Sequence, residues 1–160
     1  MDHVDAILAQ WHRERPDLDV EAMGILGRLT RLHAHLRQAI ERNLAAHGLN
    51  GSSFDILATL RRSGPPHRLS PGDLMATAMV ASGTMTNRID QLEKAGLVER
   101  LPNPEDGRSV LVALTPAGLA RVEAAVATHV ATQNRLLGGL SSDERSALDA
   151  ALRAALTRFE

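Results

Sequence analysis

A segment of ten residues, DGRSVLVALT at 106–115, constrains the fold of this chain more than any other stretch. It follows a helix-like run, ASGTMTNRIDQLEKAG at 81–96, and sets Asp106-Gly107 between two strand-like runs, Leu97–Leu101 and Val110–Leu114. Asp-Gly supplies the positive φ angles of a tight hairpin turn, so the spacing predicts a β-hairpin with Arg108 near its tip. A helix with a small, polar N-terminal face followed at once by such a hairpin suits duplex DNA. The helix enters the major groove, and a tip arginine enters the adjacent minor groove. The expectation is a winged helix-turn-helix across residues 51–115.

Helical signals flank this lobe on both sides. Val4, Ile7, Leu8 and Trp11 fall at helical spacing in residues 3–15, and Pro16-Asp17 ends that helix. Asp19 is a fair N-cap for a long amphipathic helix from Val20 to His47, closed by Gly48. Ser52 or Ser53 is expected to cap a third helix, stopped by Gly64-Pro65-Pro66. Ser70-Pro71 then opens a short helix to about Met79. After the hairpin, Thr115-Pro116 starts a helix toward Leu137, and Ser141-x-x-Glu144 is a capping box for a last one. The predicted fold is mainly α with a small β-wing, seven helices in one domain over 1–160. Residues 1–48 and 116–160 form a helical dimerisation region around the 51–115 lobe. Leu8, Trp11, Val122, Val126, Val130, Leu136, Leu137, Leu148, Leu152 and Leu156 need a partner surface, which a symmetric homodimer provides. A two-fold dimer sets two recognition helices about one DNA turn apart, matching a palindromic operator.

Composition narrows the compartment and the chemistry. No apolar run approaches the roughly 18 residues that cross a bilayer, and no signal peptide opens the sequence. Cysteine is absent, which excludes disulfide scaffolds, thiolate metal sites and thiol redox sensing, so a cytoplasmic setting without a membrane partner is expected. Eighteen Lys+Arg against nineteen Asp+Glu give a net charge of −1, low for a DNA binder. Cations focused on one face overcome this, since counterion release follows the phosphates contacted. Arg61, Arg62, His67, Arg68, Arg88, Lys94, Arg100 and Arg108 fall in the central lobe, whereas Asp2, Asp5, Glu14, Asp17, Asp19 and Glu21 crowd the N-terminal end.

On the recognition helix, Ser82, Thr84, Thr86, Asn87 and Arg88 are candidate DNA contacts, with Ser70 at the start of the preceding helix. Short donors and acceptors near a helix N-terminus share that end with free backbone N–H groups and the positive end of the dipole. Ser82 could equally serve only as an N-cap. Asp106 and Arg108 complete the set from the wing, where the bland alternative is an exposed surface ion pair.

These segments resemble the multiple-antibiotic-resistance regulator (MarR) family. The resemblance is carried by GSSFDILATLRRSG and by LSPGDLMATAMVASGTMTNRIDQLEKAGLVERLPNPEDGRSVLVALTPAG, within 51–118. Asp106-x-Arg108 followed by Leu114-Thr115 resembles the family's wing signature, and Leu92-Glu93-x-x-Gly96-Leu97-Val98 its helix-to-wing junction. The resemblance implies a dimeric, ligand-responsive repressor in which Arg108 touches DNA and Asp106 steadies it. The added first helix with Trp11, together with Asp55, Arg88 and Arg100, resembles the urate-responsive branch, where four such residues form the ligand site. Other members of that branch answer to different small anions, trans-aconitate among them. A planar organic anion would stack on the indole and pair with guanidinium forks. Asp55, held near Arg88 or Arg100 in the free protein, would be repelled by the incoming charge.

Other classes fit less well. There is no Gly-rich phosphate loop, nucleophile elbow or zinc motif, so no catalytic residues and no cofactor are expected. The seven histidines hold no His-x₃-His pair, and His33-x-His35 points its side chains apart on a helix, so no metal site is expected. A winged-helix interaction module that binds protein instead of DNA remains the alternative. It would need neither Arg108 nor a polar recognition face.

Overall fold

The computed structural model describes residues 1–79 and 82–159, with the backbone alone for 82–84. Among the described residues there are seven α-helices and three short strands: α1 (His3–Glu14), α2 (Glu21–Ala45), α3 (Gly51–Arg62), β1 (Arg68–Leu69), α4 (Pro71–Thr77), α5 (Ser82–Lys94), β2 (Val98–Pro102), β3 (Val110–Leu114), α6 (Pro116–Leu136) and α7 (Ser142–Leu156). They divide into two compact units, residues 1–39 and 40–160.

In the first unit, Asp2 caps α1 in a reciprocal capping box with Asp5, satisfying N–H groups that the helix leaves unpaired. Arg28 of α2 pairs with both of these carboxylates. Gly24 and Gly27 lie one turn apart on α2, where a Cβ would stand 3.0 Å from Leu8 and 3.5 Å from Val4, so the small residues admit the α1 side chains. Asp19 accepts from the Glu21 N–H at 3.0 Å, but the Val20 carbonyl already accepts from the Gly24 N–H, so Asp19 lies one residue before the cap position read for it. Between the two helices runs an apolar groove of about 490 Å³, with Val4, Ile7, Leu8, Met23 and Leu26 on its walls.

The second unit has its core where α3, α5, α6 and the sheet converge: Ile56, Leu57, Leu60, Leu74, Met85, Ile89, Leu92, Val98, Val112 and Val122 are buried. The antiparallel sheet runs β1-β3-β2, with Leu69 opposite Val112 on one side and Arg100 opposite Val112 on the other. Strand β1 has only two residues, too short for any alternation to show in the sequence. Asn50 caps α3, its side chain accepting from the Ser53 N–H at 3.0 Å; the expected caps Ser52 and Ser53 lie inside the helix instead. Ser70, Thr115 and Ser141 cap α4, α6 and α7 as their Ser/Thr-Pro and Ser-x-x-Glu signals require.

Two helices end alike. Gly48 and Gly96 take φ of +67° and +69°, and the Leu49 and Leu97 N–H groups reach back to the Leu44 and Leu92 carbonyls at 3.0 and 2.9 Å. Gly118 meets a different demand: a Cβ there would lie 1.8 Å from the Leu97 carbonyl oxygen. At the same junction the Thr115 N–H donates to that carbonyl, and its hydroxyl donates to the Gly96 carbonyl at 2.7 Å. The end of α5, the start of β2 and the start of α6 are thereby held together.

Val122 departs from expectation. It was predicted to need a partner surface, yet it is fully buried against its own core because α6 packs on α3. Of the other residues predicted to need one, Trp11, Val130, Leu152 and Leu156 are exposed, and further exposed apolar side chains include Phe159 in the second unit and Ile25, Leu26, Leu29 and Leu32 in the first. The ring of His129 on α6 lies 4.7 Å from that of Phe54 on α3, with its Nδ1 buried and unpartnered. Burial holds its pKa below the ordinary value of 6.5.

Candidate nucleic-acid interface and anion-site residues

Helix α5 buries Met85, Ile89 and Leu92 and turns Thr86, Asn87, Gln91 and Lys94 outward, so the 3.6-residue period alone sets its polar face. The side chains of Ser82 and Thr84 lie outside the described residues. Asn87, Arg88 and Gln91 are linked: the Arg88 Nη1 donates to Gln91 Oε1 at 2.8 Å, and the Gln91 amide donates to Asn87 Oδ1 at 3.4 Å. Gln91 was missed in the sequence, although its i+4 spacing from Asn87 marks the same face. Ser70 accepts from the Asp73 N–H at 3.1 Å and donates to its carboxylate at 2.7 Å, so its hydroxyl is engaged in capping α4.

The wing is built differently from the tight turn predicted. Pairing stops at Pro102 opposite Val110, and residues 103–109 form a loop. Pro104 has no N–H to extend a ladder, which keeps the strands from running up to Asp106-Gly107. Gly107 is not among the glycines with positive φ. The loop is closed from within: the Asn103 N–H donates to the Ser109 carbonyl at 3.1 Å and the Ser109 N–H to the Asp106 carbonyl at 2.9 Å. Asp106 Oδ1 accepts the Arg108 backbone N–H at 3.1 Å, an Asx-type turn that fixes the residue bearing the guanidinium. Asp106 and Arg108 are both exposed, and no ion pair joins them among the described residues.

Of the four anion-site candidates, three lie in the second unit, and Trp11 is in the first, its ring partly exposed near the end of α1. Asp55 on α3 accepts the Met79 N–H at 2.6 Å, just before α5, and sits 3.9 Å from Arg62. Arg62 in turn donates to the Thr77 carbonyl at 2.5 Å, so α3 holds the end of α4 and Met79 through two side chains. Arg62 lies seven residues after Asp55, two turns along the same helix face, a spacing legible in the sequence. Arg100 on β2 reaches the other end of α5: its Nη2 is 2.5 Å from Asp90, and its Nη1 donates to Glu93. The hydrogen bond it donates to Asp90, with Glu93 adding its charge, raises the Arg100 guanidinium above its usual range. Asp90 and Glu93 were missed, since their partner sits across a helix-to-strand junction that spacing rules do not reach. Arg88 lies on α5, Arg100 holds its C-terminal half through Asp90 and Glu93, and Asp55 accepts from Met79 just before it.

Comparison with known proteins places this architecture. Residues 49–110 match the MarR family model. The chain is 40% identical over 157 residues to the HTH-type transcriptional regulator PecS of Dickeya dadantii, spanning 98% of this chain and 92% of PecS. The chain belongs to the MarR family. As such it is a DNA-binding transcriptional regulator with a winged helix. A mutant MarR from E. coli, solved in complex with operator DNA, superposes with a TM-score of 0.72 at 28% identity, covering 91% of this chain and 97% of that one. BpsR of Bordetella bronchiseptica, described with a mechanism by which 6-hydroxynicotinic acid regulates its DNA binding, gives a TM-score of 0.73 at 28% identity, covering 86% and 95%. No helix among the described residues is long and apolar enough to cross a membrane.

Proposed function

We propose that this MarR-family regulator is a homodimeric repressor of its own and a neighbouring promoter, released from a palindromic operator by a small aromatic or carboxylate anion, urate-like in shape. Ser82, Thr84, Thr86, Asn87 and Arg88 read the major groove, Ser70 supports α4 at the backbone, and Arg108, steadied by Asp106, enters the minor groove. Trp11, Arg88 and Arg100 hold the anion, and Asp55 transmits its arrival. A second copy of the chain covers the exposed apolar residues of the terminal helices.

One observation carries the release mechanism: Asp55 accepts the Met79 N–H at the turn that leads into α5. An anion that repels this carboxylate disturbs the start of the recognition helix without touching DNA, which is a coupling between two sites in the thermodynamic sense. The BpsR comparison supports an aromatic carboxylate as the ligand class. Trp11, the only tryptophan of the chain, supplies the assay. Urate and 6-hydroxynicotinate are titrated into the protein with tryptophan emission as readout, and then into its complex with fluorescent operator DNA. The proposal requires quenching and DNA release at matching concentrations. It fails if neither anion nor related carboxylates alter the emission or the complex.

A further inference from the structure

Helix α5 carries an awkward charge pattern for a recognition helix. Arg88 and Lys94 are matched by Asp90 and Glu93, so the element that enters the groove has no net charge of its own. DNA presents one negative charge per about 1.7 Å of duplex, and a carboxylate brought toward it opposes binding. Asp90 and Glu93 stand one turn apart, with 47% and 39% of their side chains exposed, so both remain open to solvent. Arg100 meets both carboxylates at once from β2, and among the described ion pairs no other cation reaches either.

We propose that Arg100 is a charge-compensating positioning residue for DNA binding: its guanidinium neutralises Asp90 and Glu93 so that α5 meets DNA without two unpaired carboxylates. The planar fork suits the task, because its two amino groups serve two acids simultaneously while strand β2 fixes its origin. The arginine tips the local balance to net positive on the groove-facing element. It acts through its neighbours, not by touching a base or a phosphate. The proposal stands on the DNA-binding role alone and needs no anion pocket.

A mutant cycle separates compensation from packing or direct contact. Binding to duplex DNA from upstream of the protein's own gene is measured, without added anion, for the parent, Arg100→Ala, Asp90→Asn/Glu93→Gln, and the triple combination. Thermal melting confirms that each is folded. Arg100→Ala is expected to bind about tenfold more weakly, the size of effect a charge at the edge of an interface has. The triple variant is expected to return to within about threefold of the parent, and the double variant to bind at least as tightly as the parent. Rescue by removing acids is an outcome that lost packing or a lost arginine–DNA contact would not give. A triple variant as weak as Arg100→Ala overturns the proposal, as does an Arg100→Ala variant with parental affinity. Should Arg100→Ala not fold, Arg100→Lys keeps the charge and must bind within about threefold of the parent; a larger loss overturns the proposal.

Discussion

Replacing Gly118 with alanine tests the junction that joins α5, the wing and α6. The added Cβ would fall 1.8 Å from the Leu97 carbonyl oxygen and 2.8 Å from its carbonyl carbon, both main-chain atoms without rotamers to yield. Ordinary non-bonded separation is reached only if α6 or β2 retreats by about 1.5 Å. Such a shift strains packing and pulls at the bond from the Gly118 N–H to Thr115 Oγ1, 3.0 Å, and at the Thr115 hydroxyl's bond to Gly96. Overpacking and a weakened cap together cost about 4 kcal/mol, of which the better helix propensity of alanine returns about 1, leaving about 3 kcal/mol. For a chain of this size that is a fall of roughly 6–12 °C in melting temperature. The control is Gly107→Ala in the wing loop, where no atom lies within 4 Å of the new Cβ and φ is not positive. It should melt within about 2 °C of the parent. Differential scanning calorimetry decides it: if Gly118→Ala melts as the parent does, the close approach that organises the junction is not there.

Other outcomes follow from the same geometry. Asp55→Asn keeps an acceptor for the Met79 N–H but no charge, so it should hold operator while its release by anion is blunted, measured by anisotropy of labelled DNA. Asp55→Ala leaves that N–H without this acceptor and should be less stable by about 1–3 kcal/mol in urea titration; equal stability refutes the anchoring role. His129 titrates below its ordinary value of 6.5 because burial disfavours the charged form. The unfolded chain therefore binds the proton first; stability is complete above pH 6.5 and falls as the pH drops through the folded pKa. Melting temperatures at pH 7.5 and 5.5 should show a smaller acid loss in His129→Gln, and an unchanged difference refutes this. Deleting residues 1–15 should leave DNA binding intact and remove the response to anion, with the Trp11 platform gone; a retained response refutes the role given to the first helix.

The helices were legible because their signals are local. Ser70-Pro71, Thr115-Pro116 and Ser141-x-x-Glu144 mark helix starts through bonds made within one turn, and Gly48 and Gly96 mark ends through a backbone angle that favours glycine. What the sequence hid depends on the third dimension. The wing loop was misread because Asp-Gly is a strong hairpin signal, whereas Pro104 ends the ladder before the strands arrive there. Val122 was set apart from the core because the packing of α6 on α3 does not show in one helix's periodicity. The tie of Arg100 to Asp90 and Glu93 spans a helix, a glycine turn and a strand, so nothing in its spacing announces it.

In the proposed complex α5 and the wing meet DNA with separate tasks, and salt-dependent binding separates the two. Affinity for the upstream duplex and for a scrambled one is measured across a series of salt concentrations for the parent, Arg108→Ala and Asn87→Ala. Arg108→Ala should weaken both duplexes and flatten the dependence of log K on log salt by roughly one unit for each cationic contact, groove or phosphate, that it removes. Asn87→Ala should keep the slope and lose about 1–3 kcal/mol of discrimination between the two sequences, the worth of a bidentate base contact. Slopes and discrimination that match the parent in both variants would contradict this division of tasks.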